Sequence, residues 1–298
     1  MVKFLKRYYR TVILISLIVF VIASNFFIYR FASDAIVILL IIVAIIFKKE
    51  REFFREWSIP ILLFYFYEYI RGRGYILAEF FGRPLLTDWL VNLENRIFDI
   101  GGDIPNVFLQ YNLSTVQSGV FSPNWYDYVL FFFYISFFWF WLGVGCVIWV
   151  KRRKMFNRYI YGLIGLSLVS SLIYILYPSA PPWYASELGI LPPLQRLMLS
   201  YDFFSTKYFA IVSTYESNYF AAFPSLHAGW PMYASLFAIG VFGKKAIPLL
   251  IVPLVIAFAT WYGAEHYIID SIFGFLLAGI AYVVATKTEA KKSIWFWG

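Results

Sequence analysis

Only two histidines occur in this 298-residue chain, and both sit in short motifs carrying groups able to work with an imidazole. His266 precedes Asp270 by four positions in Glu265-His266-Tyr267-Ile268-Ile269-Asp270. On a helix that spacing brings both side chains onto one face, about 6 Å apart. The carboxylate can then hold one ring nitrogen as N–H and leave the other as a lone pair aimed at a substrate, as aspartate does in a catalytic triad. His227 lies in Ala221-Ala222-Phe223-Pro224-Ser225-Leu226-His227-Ala228-Gly229. Pro224 suits the first turn of a helix and Ser225 its N-terminal end. The free backbone N–H groups there, with the positive end of the helix dipole, suit a phosphate. His227, in the same turn, can protonate a group leaving that phosphate. Taken singly, each motif also fits a structural part: a polar pair fastening two helices, or a Ser/Pro helix start with an interfacial histidine.

The elements that must position these residues are membrane helices. Hydrophobic residues make up 61% of the chain and charged residues 14%, against roughly 25% charged in soluble domains; mean hydropathy is +0.71. The fold class expected is therefore all-α and polytopic. The 23% aromatic content suits interfacial belts. A single cysteine, Cys146, excludes a disulfide framework and a Cys-based metal site, and two histidines do not make structural zinc. No cofactor is expected. The net charge of +8 sits at the ends of apolar runs, the pattern of topology determinants rather than of a nucleic-acid surface.

Lys3, Lys6, Arg7 and Arg10 precede a run from Thr11 to about Tyr29, too long for a signal peptide and without a small-residue cleavage site, so it reads as a retained span. Further runs follow to Phe47, from Trp57 to Ile70, Tyr126 to Val150, Arg158 to Tyr177, the first motif to Phe242, Ile247 to Tyr262, and the second motif to Ala285. The second and third are shorter than the ~20 residues of an untilted span. Between 71 and 126 the chain is more polar. There Leu90, Leu93, Ile97 and Ile100 recur at helical spacing, predicting a short amphipathic helix; another is expected around Leu194–Phe204. About eight transmembrane helices put the N-terminus, 48–56, 151–158, 243–246 and the C-terminus, rich in Lys and Arg, on one side. By the positive-inside rule that side is cytoplasmic. Both histidine motifs then open on the extracytoplasmic or lumenal face at equivalent depths, which a merely structural reading of each leaves unexplained. The domain division expected is 1–56 for N-terminal membrane helices, 57–285 for a catalytic membrane domain and 286–298 for a cytoplasmic tail.

Pro224-Ser225-Leu226-His227 resembles the second signature of the phosphatidic acid phosphatase type 2 superfamily, and His266-x3-Asp270 the end of its third. Ala-Phe-Pro-Ser-Leu-His-Ala-Gly, Glu-His-Tyr-Ile-Ile-Asp and Tyr-Pro-Ser-Ala-Pro-Pro-Trp-Tyr at 177–184 look most like the branch containing inositol phosphorylceramide synthase. The resemblance spans roughly residues 60–285. It implies the superfamily's helical core and metal-free chemistry on membrane lipids. His266 would attack phosphorus to form a phosphohistidine, Asp270 would orient it, and His227 would protonate the departing alcohol and deprotonate the acceptor. A lipid or polyol acceptor makes a transferase; water makes a phosphatase acting on a polyprenyl or diacylglycerol phosphate.

Two departures bear on phosphate binding. The superfamily's Lys-x6-Arg-Pro signature is absent: Arg83-Pro84 has Ile76 where the lysine should stand. Thr260 replaces the arginine usual six residues before the nucleophile. The phosphate must then meet cations from elsewhere, and Arg71, Arg73, Arg83, Arg196 and Lys207 lie on the predicted active face. Ser225 adds a helix N-terminus, and Trp183 and Tyr184 are placed to cap a headgroup or to join an aromatic belt. Glu265 points off the His266–Asp270 face. A proton-coupled transporter is a rival of another class, but it predicts charges mid-span, whereas most here sit at span ends, Glu68 excepted. A structural scaffold is a further rival. Oligomeric state is not addressed by any of these features.

Overall fold

The computed structural model describes residues 33–46, 48–117, 120–199 and 218–287. The predicted first span Thr11–Tyr29, Lys207 and the tail beyond Lys287 lie outside the described residues. Helices dominate: α1 (Ser33–Ile46), α2 (Glu50–Gly72), α3 (Gly74–Phe80), α4 (Asp88–Phe98), α5 (Pro105–Leu113), α6 (Trp125–Lys151), α7 (Arg153–Leu176), α8 (Pro182–Glu187), α9 (Leu226–Phe242), α10 (Ile251–Tyr262) and α11 (Ile268–Lys287). Two antiparallel strands of two residues each, β1 (Val116–Gln117) and β2 (Val120–Phe121), precede α6.

Among the described residues, four helical stretches are long and apolar enough to cross a membrane: Trp125–Lys151, Arg153–Leu176, Leu226–Tyr262 and Ile268–Lys287. The third, at 37 residues, would reach about 55 Å as one straight helix. It does not run straight. Gly243 takes φ +76°, a conformation side chains disfavour. A 3-10 helix, Gly243–Leu250, then turns the chain so that α10 returns alongside α9. Ser235 Oγ donates to Leu249 O at 3.1 Å across the bend. The two runs predicted on either side of Lys244-Lys245 are thus antiparallel arms, and their outer ends carry the two histidine motifs.

α9 packs most closely on α11, and glycine permits it. A Cβ on Gly274 would meet Ser225 O at 2.2 Å, and one on Gly229 would meet Gly274 O at 3.2 Å. Small residues let membrane helices approach in this way. At the opposite end of the bundle α2, α6 and α7 are clamped together. Trp57, Trp149 and Phe156 pack ring against ring. Glu56 accepts from Trp149 Nε1 at 2.8 Å and from Arg153 Nε at 2.9 Å, and Arg158 donates to Thr286 O at 3.4 Å. The charged connections 48–56 and 151–158 therefore share one pole with the end of α11, away from the histidines.

Several boundaries and faces differ from expectation. α2 begins at Glu50 rather than Trp57, and α7 at Arg153 rather than Arg158, because the Glu56–Arg153 pair lets charged residues extend the helices. The amphipathic helix α4 forms, but its buried face is Leu90 and Glu94, each fully buried, while Ile97 and Ile100 are exposed. Around Leu194–Phe204 the described part holds only a 3-10 turn, Leu197–Leu199, after Pro192-Pro193.

Candidate active site

Ser225 starts α9. Its Oγ accepts from Ala228 N at 3.3 Å and its carbonyl from Gly229 N at 3.0 Å, which sets His227 in the first turn. Tyr174 OH donates to Pro224 O at 2.9 Å, and Ser179 Oγ accepts from Phe223 N at 2.9 Å, so the end of α7 and the Pro178–Tyr184 segment together brace the motif. His227 Nδ1 lies 3.0 Å from His266 Nε2. On its other sides the His227 ring stacks on Tyr134, with centroids 5.3 Å apart, and tilts against Phe137 at 4.4 Å. His266 Nδ1 faces Asp270 Oδ2 at 3.4 Å, an ion-pair distance rather than a closed hydrogen bond. The same Oδ2 accepts from Tyr267 N at 2.9 Å, and Ser225 N donates to Asp270 O at 3.0 Å. A proton held on Nδ1 by Asp270 leaves Nε2 as acceptor, so the 3.0 Å contact is read as His227 Nδ1–H donating to it.

The turn carrying His266 is held by polar side chains that no motif announced. Glu94 is fully buried, and its two oxygens accept from Ile268 N at 2.8 Å and Ile269 N at 3.1 Å, closing the open N-terminus of α11. Burial and the nearby Asp270 charge push the Glu94 carboxyl up to about 7, against those two N–H donors. Asn106 Nδ2 donates to Trp261 O at 2.8 Å and His266 O at 2.9 Å. Gln110 Nε2 donates to Tyr262 O at 3.1 Å, and the buried Asp127 accepts from Tyr262 OH at 2.6 Å. Glu94 interrupts the apolar stripe of α4 four residues after Leu90, the one signal by which sequence could have found it.

The predicted cations divide. Arg71 lines the same cavity, of about 250 Å³, as His227 and His266. Arg196 donates to both Glu265 oxygens, at 3.0 and 2.8 Å, and stacks on Trp183 at 4.4 Å. Glu265 thus engages Arg196. Arg73 is exposed against Tyr69 at 5.5 Å, and Arg83 is exposed; neither joins the cavity lining. Trp183 is buried, its backbone N–H donating to Ala264 O at 3.1 Å, while Tyr184 packs on Phe220. Ser225 is fully buried with its hydroxyl engaged in the helix start, so its side chain is spent on positioning rather than offered to a ligand.

A family model, the PAP2 superfamily, matches residues 106–284 and so takes in both histidines, Asp270 and the helices that present them. The chain belongs to the PAP2 superfamily. Among curated relatives, phosphoinositol dihydroceramide synthase of Bacteroides thetaiotaomicron is 32% identical over 139 residues, covering 43% of this chain and 45% of that protein. The catalytic subunit of inositol phosphorylceramide synthase from Schizosaccharomyces pombe is 32% identical over 129 residues, covering 41% and 31% respectively. The corresponding Candida albicans enzyme is 29% identical over 125 residues, covering 38% and 26%. The chain thus spans less than half the length of these relatives. No solved structure matches it. The branch expected from the motifs is the one these relatives occupy. In this PAP2 chain Thr260 lies in the last turn of α10, its carbonyl accepting from Glu265 N at 2.9 Å and His266 N at 3.2 Å, so the position serves the turn.

Proposed function

We propose that this PAP2 protein is an integral-membrane phosphotransferase that moves a phospho-headgroup between lipids, as the names of its relatives imply for them, with a phosphoinositol group as the cargo and a ceramide-type hydroxyl as acceptor. The observation that carries the reading is the chain of contacts His227–His266–Asp270 at 3.0 and 3.4 Å, opening on a largely apolar cavity.

The steps follow from those contacts. His266 Nε2 attacks phosphorus, the bond to the lipid alcohol breaks, and His227 passes that oxygen a proton. The acceptor hydroxyl then gives its proton to His227 and attacks phosphorus, and the P–N bond to His266 breaks. Asp270 keeps the His266 proton on Nδ1 throughout. Arg71 is the cation best disposed toward the phosphate. Arg196, tied to Glu265 and Trp183, shapes the rim of the site, and Trp183 and Tyr184 with it. A phosphoryl oxygen between the rings must replace the direct histidine contact, so substrate binding opens the pair.

The eightfold crossing, the cytoplasmic termini, the extracytoplasmic site and the catalytic domain 57–285 belong to the same proposal. They are supported by the clustering of charged connections at the pole remote from the histidines. A reporter fused after Lys245 is expected in the cytoplasm, and one near Ser186 outside it.

The deciding experiment incubates purified protein with a labelled inositol phospholipid, with and without a ceramide acceptor. Labelled product that requires acceptor supports the transferase. Release of a free headgroup phosphate without acceptor replaces it by a phosphatase, and no turnover of any phospholipid ends the enzymatic reading. Activity is expected to persist in chelator.

A further inference from the structure

Below the histidine pair, α2 turns one face inward along most of its length. Trp57, Ile61, Phe64, Tyr65, Glu68 and Arg71 all line the cavity that reaches His227 and His266. These positions keep to a single helical face. From Trp57 to Arg71 that face runs about 21 Å, deeper than one leaflet of a hydrocarbon core about 30 Å thick. The facing wall is aromatic: Tyr134 and Phe137 at the level of His227, and Trp141, stacked on Phe64 at 5.2 Å, farther in. Val37 and Leu40 of α1 close the deep end over Trp57, each of the three nearly fully buried. The charged groups of the lining, Glu68 and Arg71, lie on the last turn and a half of α2, toward the histidines. On its outer face α2 instead exposes Leu62 and Phe66, at 62% and 53%, as a lipid-facing surface would.

A space polar at its mouth, aromatic along its walls and closed by aliphatic groups has the form of a sleeve for hydrocarbon. Its volume of about 250 Å³, drawn out along one face of α2, suits a slender chain rather than a bulky ring system. We propose that this slot receives a single aliphatic chain of a lipid whose headgroup lies on the histidines, and that Trp57, Val37 and Leu40 set the chain length it accepts. The inference rests on the lipid phosphotransfer reading above. The chain belongs either to the phospholipid donor or to the hydroxyl-bearing acceptor, and both present the same hydrocarbon to the slot.

The test measures initial rates with donor and acceptor varied separately between hexanoyl and palmitoyl chains, for the wild type and Ile61→Trp, which fills the slot midway. The long-to-short rate ratio is expected to fall about tenfold or more for whichever lipid uses the slot, since a few methylenes lose their burial. It stays unchanged for the other lipid. Retained turnover with both ratios unchanged overturns the slot. A second arm needs neither turnover nor a variant. Wild-type protein in membranes is irradiated with lipids bearing a diazirine at the chain terminus, and adducts are located by residue. Adducts on Trp57, Val37 or Leu40 support the slot, while adducts confined to Leu62, Phe66 and other lipid-facing residues overturn it. Absence of turnover with every wild-type lipid overturns the phosphotransfer reading instead, and cross-linking still decides on the slot.

Discussion

His227 Nδ1 and His266 Nε2 are in direct contact at 3.0 Å, with no room for a phosphoryl group between them. On the proposed mechanism this resting hydrogen bond is what substrate has to take apart. His266→Ala is expected to abolish both turnover and the acid-labile phosphoenzyme. His227→Ala is expected to slow turnover by about 10²–10⁴, the usual worth of a positioned acid or base, while an activated leaving group such as p-nitrophenol restores phosphoenzyme formation. Rapid quench with labelled donor separates the two variants, and equal phosphoenzyme yields from both with the natural donor would contradict the division of labour.

Asp270 bonds backbone as well as facing His266, so its replacement needs a shape-matched residue. Asp270→Asn keeps an oxygen for Tyr267 N–H but no longer enforces the His266 tautomer. A loss of about 10²–10⁴ in kcat is expected, with thermal stability close to wild type. A variant that unfolds, or one that retains full activity, would speak against an orienting role.

Arg71 and Arg196 should part company under substitution. Arg71 shares the histidine cavity, so Arg71→Gln is expected to lower kcat/KM by about 10- to 100-fold, in line with a charge-assisted hydrogen bond of about 1.5–3 kcal/mol, and Arg71→Lys to recover part of it. Arg196 is bound to Glu265 in a poorly exposed pair. Arg196→Gln takes the guanidinium away from that carboxylate, and the cost of breaking a buried pair, about 3–5 kcal/mol, should appear mainly as a lower Tm. Kinetics and thermal melts on the two variants check both expectations.

Glu94 gives a pH signature. Its carboxyl rises from 4.5 to about 7 on folding, so the folded state binds the proton more tightly than the unfolded. The associated stability is complete below about pH 4.5 and is lost as pH rises through about 7. Glu94→Gln is expected to remove this fall, flattening Tm against pH over that window relative to the wild type. Melts in detergent across the window are the measurement, and parallel curves would exclude Glu94 as the source.

Gly274→Ala places a methyl 2.2 Å from Ser225 O. Backbone meets backbone there, so no side chain can yield. A loss of about 1–3 kcal/mol is expected, with activity falling further than stability because the same contact spaces His227 from Asp270. Equal activity with an unchanged Tm would show that α9 and α11 tolerate separation.

The chemistry-bearing residues were legible because their spacing is short-range: Ser225 to His227 within one turn, His266 to Asp270 across one. The span limits were nearly as legible wherever apolar runs end in charge, and less so where charge continues a helix, as at Glu56 and Arg153. What sequence could not supply were contacts between distant segments. Glu94, Asn106, Gln110 and Asp127 are ordinary polar residues until the fold carries them to the ends of α10 and α11. Arg196 was legible as a cation on the active face, but its engagement by Glu265 depends on a 69-residue separation that no local pattern encodes. The stripe of α4 was misread in detail, because a buried Glu94 takes a place that hydrophobic periodicity reserves for an apolar side chain.

The bend at Gly243 has a consequence for biogenesis. Between one histidine and the other the chain must travel out along α9 and home along α10, and only the start of α11 then brings Asp270 and the peptide N–H groups that Glu94 holds. A ribosome-bound chain that stops anywhere short of this point carries an imidazole but no assembled catalyst. On the proposed mechanism competence arrives with α11, so a product truncated before it is expected to be inert toward the lipids around it.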